Sequence, residues 1–128
     1  MDMPVVIAER LVKSAGFTWL DEVYRGAIPK EQVTDTTSTT AAITEYVSEP
    51  AGDANATFKR WSIGVEVQVY YKASVDFSIQ DAEIALAKLF KADGWSVDQS
   101  KPHTTDPGTN QVSKVFYFDK IINLKEAK

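Results

Sequence analysis

The residues best suited to chemistry lie near the end of the chain, in the run Asp98–Pro107 (DQSKPHTTDP). It holds the sole histidine, His103, between Asp98 and Asp106, with Ser100, Thr104 and Thr105 close by. A hydroxyl, an imidazole and a carboxylate are the parts of a hydrolytic triad, in which the base takes the nucleophile's proton and the carboxylate holds the base. Here all the candidates share one short segment, and neighbouring loop residues rarely hold the tight geometry that catalysis needs. The chain has no G-x-S-x-G nucleophile elbow. A metal site calls for several His or Cys ligands or a carboxylate cluster, and His103 with Asp98 and Asp106 falls short of that. Pro102, Asp106-Pro107-Gly108 and Thr109-Asn110 are turn chemistry: proline pre-sets the first turn dihedral and glycine tolerates a left-handed one. The expectation is therefore a hairpin loop over 100–110, with no catalytic, cofactor or metal residues.

The elements around that loop follow from periodicity. Residues 4–14 read as an amphipathic helix. Val5, Ala8, Leu11 and Val12 recur at helical spacing, Pro4 suits a first turn that lacks an N–H partner, and Gly16 suits a C-cap. Trp19–Arg25 reads as a short strand ending at Gly26, and Ile28-Pro29 ends regular structure. Residues 39–48, rich in Thr, Ile, Val and Tyr, read as a strand, and Glu49–Ala56 as a loop. In the strand 61–71, Trp61, Ile63, Val65, Val67, Val69 and Tyr71 alternate with Ser62, Gly64, Glu66, Gln68 and Tyr70. One face of it is buried, and the other is wet or covered by a partner. Its length exceeds the usual ~5–6 residues, so it is expected to reach beyond the core. Ser78 caps a helix over 79–92, with Asp81 in its first turn and an apolar stripe of Ile79, Ala82, Ala85, Leu86, Leu89 and Phe90. Strands follow at 95–99 and 111–122. In the last, Lys114 and Lys120 interrupt the stripe of Val112, Phe116, Phe118 and Ile122, so one end is expected to be exposed.

The order α-β-β-β-α-β-β gives an α+β domain: two helices on one face of a mostly antiparallel sheet of four to five strands. At 128 residues the chain fits one domain, 1–128. A chain of that length buries roughly two thirds of its unfolded surface, enough for a core without staples. It has no cysteine, which excludes thiolate catalysis, Cys-ligated zinc and iron–sulfur clusters. The start, MDMPVVIAERLVKSAG, lacks the basic and apolar regions of a signal peptide, and no run approaches the ~20 apolar residues of a membrane helix. The formal net charge of −4 argues against nucleic-acid binding, which needs a basic patch. Trp61, Tyr70 and Tyr71 could stack on bases, but the accompanying basic groove is missing. The carboxylate pairs Asp21/Glu22 and Glu45/Glu49 read as solvated surface, and no phosphate-binding glycine loop is present.

Several segments resemble, in the same order along nearly the whole chain, a family of siphophage tail-component proteins from phages of lactobacilli and related Gram-positive bacteria. They are Trp19–Pro29 (WLDEVYRGAIP), Val65–Tyr71 (VEVQVYY), Asp81–Phe90 (DAEIALAKLF), Gly94-Trp95, Asp98–Pro107 and Val115–Phe118 (VFYF). The size and α+β pattern look like the tail terminators of long non-contractile tails. The resemblance implies a structural virion protein and not an enzyme. It implies a homo-hexameric ring that caps the tail tube, with the major tail protein and a head-completion protein as partners. The location it implies is the virion tail, after assembly in the bacterial cytoplasm. A ring protomer offers a surface to its neighbour head to tail, and the contact residues expected for that are Trp61, Tyr70, Tyr71, Asp53, Lys101, His103 and Asp106. A strongly acidic ring would repel DNA phosphates and let the genome pass. A head–tail connector or other minor neck protein of the same virion, a small cytosolic enzyme using the His103 loop, and a stand-alone binding domain are the rival readings.

Overall fold

A computed structural model of the chain describes residues 1–28, 35–52 and 58–124. Its elements run α1 (Pro4–Ala15), β1 (Glu22–Arg25), β2 (Thr40–Pro50), β3 (Arg60–Tyr70), α2 (Ile79–Ala92), β4 (Ser96–Ser100), β5 (Thr104–Thr105) and β6 (Val112–Asn123). The strands form one sheet in the order β1-β2-β3-β6-β4, and β5 also pairs with β6. Every pairing is antiparallel except β1 with β2. This is the α+β architecture expected from the periodicity, with the short β5 added inside the segment read as a hairpin loop.

Both helices start and stop where local chemistry directs. Pro4 occupies the first turn of α1, and Gly16 closes it in the left-handed region at φ 62°. Ser78 caps α2 by accepting the Asp81 N–H, and Asp81 places its charge at the positive end of the helix.

The core lies between these helices and one face of the sheet. Ile63, Val65, Val67 and Val69 of β3 are fully buried there, with Ala8 and Val12 of α1 and Leu86 and Phe90 of α2. On β6, Phe116 stands opposite Val67 and Phe118 opposite Val65. Phe90 stacks on Phe118 with centroids 4.0 Å apart and planes 4° from parallel, and Trp95 meets the Phe90 edge at 5.5 Å. These rings fix α2 to the sheet, each pair adding ~0.5–1.5 kcal/mol beyond the area it buries.

Several expectations change in detail. The first strand begins at Glu22, because Trp19 turns into the helical layer, where it stacks on Phe17 and meets Phe77. The strand expected at 61–71 runs Arg60–Tyr70. It is the central strand, flanked along its length by β2 and β6, and offers no edge. Glu49 and Pro50 belong to β2 rather than to a loop. Lys114 does not mark an exposed end: it is buried at 8% exposure, its ammonium bonded to the Lys101 carbonyl and standing over the Phe116 ring. Lys120 likewise donates to the Asp93 carbonyl, at 2.6 Å. A long amphipathic side chain covers apolar surface while its head finds an acceptor. Pro29, Asp53 and Asn55-Ala56-Thr57 lie outside the described residues.

A bulge in β2 shapes the opposite face. Glu45 pairs with Val65 and Val47 with Gly64, so Tyr46 is an extra residue. Tyr46 and Val47 both crowd Gly64, where an added Cβ would lie 2.5 Å from Val47 Cγ1 and 2.6 Å from Tyr46 Cε1. Gly64→Ala is expected to destabilise the domain by ~1–3 kcal/mol, the usual range for overpacking. Urea denaturation checks this, and an unchanged midpoint would show that the bulge yields freely.

Candidate functional site

His103 is not idle in its loop. Its Nε2 lies 2.7 Å from Glu83 Oε2, and the same oxygen accepts the Tyr71 hydroxyl at 2.7 Å. Glu83 comes from the second turn of α2, Tyr71 follows β3, and His103 sits in the link between β4 and β5. The clasp therefore ties three parts of the fold together. The Glu83 side chain is only 10% exposed, whereas that of His103 is 42% exposed. Tyr71 is fully buried. Burial first, and then the bond to Glu83, push its hydroxyl far above the usual tyrosine range, so Tyr71 serves as a neutral donor. Beside the clasp, a groove of about 250 Å³ runs between α2 and the β4–β5 link, lined by Ile84, Ala87, Lys114 and Phe116 among others.

The other residues of the presumptive triad go elsewhere. Asp98 accepts the Tyr46 hydroxyl at 2.9 Å, and Thr104 shares a hydrogen bond with Ser113. Asp106 accepts the Gly108 N–H in a turn that returns the chain to β6, and Asn110 in that turn takes a left-handed φ of 61°. Ser100 lines the same groove as His103 without a hydrogen bond to it. Among the described residues, no three His, Asp or Glu side chains gather to hold a metal ion.

The second feature is the sheet face that the helices leave uncovered. Glu66, Gln68 and Tyr70 of β3 point this way, with their β6 partners Tyr117, Val115 and Ser113. Glu66 accepts from Tyr117 at 2.8 Å and from Thr44 at 3.2 Å. The Tyr46 ring meets the Tyr117 ring edge-on at 5.1 Å. Asp119, opposite both Gly64 and Ser96, has its carboxyl raised by burial and then by the negative charge of Asp98. The Tyr46 hydroxyl is pushed well up by burial and its bond to Asp98, and the Tyr70 hydroxyl is raised by burial and by Glu66. Among the described residues, none of Glu66, Asp98 and Asp119 joins an ion pair. Lys101 stands over the Tyr117 ring, 5.6 Å from its centroid. Toward β1 the face hollows into a depression of about 340 Å³, lined by Thr40, Ala42, Thr44, Gln68, Tyr70 and Gln111 among others.

The residues expected at a contact surface are thus divided. Tyr70 and Lys101 lie on the uncovered face, and His103 and Asp106 on the β4–β5 side. Trp61 packs partly buried against the core, its indole N–H donating to Ser48 at 3.0 Å. Tyr71 is corrected outright: it is buried among core side chains and has no surface to offer. Glu83 is the residue that the sequence reading missed. The signal was its spacing, since it lies four after Ile79 and three before Leu86, inside the buried stripe of α2.

With this geometry in hand, the chain's relationship is plain. It belongs to the family described as "Protein of unknown function (DUF806)", whose pattern matches residues 3–123. No curated protein matches the chain.

Two outcomes follow from these contacts. Glu83→Ala strands the Tyr71 hydroxyl in the core and is expected to cost ~1–3 kcal/mol. His103→Ala removes only a half-exposed partner and is expected to cost less than ~1 kcal/mol. Equal losses in urea denaturation would contradict this ranking. Asp119 is raised in the folded state, so the fold favours its protonated form and loses that advantage as pH rises through the raised value. Asp119→Asn is therefore expected to raise the melting temperature at neutral pH, with the gain vanishing near ~pH 3, where carboxylates are protonated in both states. A gain that persisted in acid would rule out the charge explanation.

Proposed function

We propose that this chain is a structural phage or prophage tail protein, a tail terminator whose copies form a hexameric ring that caps the tail tube and joins it to the head. In this reading it works in the virion tail by contact with copies of itself, the major tail protein and a head-completion protein, not by catalysis. The observation that carries the reading is the uncovered sheet face. One side of the sheet is closed by two helices, and the other presents tyrosines, threonines and carboxylates that, among the described residues, join no ion pair, across β2, β3, β6 and β4. Sheets of this kind either face water or take a partner. Here the face also carries exposed Tyr46 and Ile121, and large exposed side chains of this type favour contact. The likeness of Trp19–Pro29, Val65–Tyr71, Asp81–Phe90 and Asp98–Pro107 to siphophage tail components supplies the direction.

The test is mass by light scattering after size exclusion, for the protein alone and then mixed with tubes of the major tail protein. A hexamer is expected, or a monomer that joins tube ends and stops their growth. A monomer that ignores the tubes would overturn the terminator reading.

A further inference from the structure

We infer that the uncovered sheet face of one copy docks on the outer face of α2 of the next copy, head to tail, carboxylates against lysines. This contact rests on the ring reading above and specifies its interface. Ala82, Leu86 and Phe90 of α2 face the core. Ile84, Lys88 and Lys91, at i, i+4 and i+7, form a stripe on the outside. Ile84 is 44% exposed, and among the described residues neither lysine joins an ion pair. The groove beside the stripe adds apolar surface from Ala87 and Phe116.

The opposing surface has the same plan with the sign reversed. Tyr46 and Ile121 are exposed at 40% and 58%, and Glu66, Asp98 and Asp119 share their face of the sheet. Asp98 and Asp119 lie close together there, and among the described residues no cation is paired to either, so an incoming ammonium would find two carboxylates to meet. Each surface is thus an apolar anchor beside charges mainly of one sign, with Lys101 the exception on the sheet face and Asp81 on the helix, and the two prevailing signs match. They lie on opposite sides of the sheet, so one copy engages two neighbours at once. That is the heterologous arrangement a ring requires.

The experiment compares self-association of the full-length protein, alone and on tail tubes, with two variants: Lys88→Glu/Lys91→Glu and Asp98→Lys/Asp119→Lys. Each variant alone is expected to need at least ~10-fold more protein to associate, because like charges then meet at the contact. Mixing the two variants is expected to restore association to near wild type in alternating assemblies, since each mutated surface then meets its opposite. Restoration also shows that both variants are folded, and Ile84→Asp, which keeps both charge sets, is expected to weaken association as well. If the wild type forms rings but neither variant alters them, or if mixing restores nothing, this contact is wrong and the ring reading stands. A wild-type chain that stays monomeric both alone and on tubes overturns both. A chain that does not self-associate, yet binds tubes in a way the same variants abolish, places the tail protein on these surfaces and overturns the contact between copies.

Discussion

The structure depends on the placement of both helices on one side of a sheet whose central strand alternates strictly. Once Phe90 stacks on Phe118 and α1 lays Ala8 and Val12 on the same face, every odd-numbered residue of β3 from Ile63 to Val69 must be apolar. The even-numbered ones must then face outward. A slip of one residue in the register of β3 would bring Glu66 and Gln68 into the core and expel four aliphatic side chains. The polar character of the far face is thus the other half of the pattern that builds the core.

That far face is organised rather than merely wet. The bulge at Tyr46 brings two consecutive β2 side chains over Gly64, the one β3 position where a side chain has no room. It also carries the Tyr46 hydroxyl to Asp98 on the edge strand. Tyr117 and Thr44 satisfy Glu66, so hydroxyl donors hold the carboxylates in place without neutralising them. On the helical side, by contrast, the interior charges are consumed locally. Lys114 spends its donor on a carbonyl, and Glu83 is shared between Tyr71 and His103.

The elements were legible because they rest on local rules. The Ser78 cap, the proline and glycine at the ends of α1, and the alternation of β3 are each written within a few consecutive residues. What stayed hidden was set by distant partners. Nothing in Trp19 itself says that Phe77 will draw it out of a strand. Lys114 looks like a solvated end until the Lys101 carbonyl, across a hairpin, accepts a hydrogen bond from its ammonium. Tyr71 continues the alternation of β3 and so belongs to the core, yet its aromatic type suggested a contact surface. The histidine does lie in a connection between strands, as its turn-rich surroundings indicate. Its carboxylate partner lay on a helix, where only an acid in an apolar stripe gave notice.

Segregation of charge is the property from which an assembly direction follows. The chain carries a formal net charge of −4, yet its described surfaces are not uniformly acidic: the open sheet face carries unpaired carboxylates and the outer stripe of α2 carries unpaired lysines. Two copies meeting face to face, sheet on sheet or helix on helix, bring like charges together, which disfavours a closed symmetric dimer. A copy meeting the back of another brings opposite charges together, and the product again exposes one surface of each sign. In the proposed ring, growth would continue until the rotation between neighbours returned the last copy to the first. The proposed ring, which has to avoid a dead-end dimer, would draw on this asymmetry. The sheet supplies it at no cost to the core, because the two surfaces use the residues that the core leaves over.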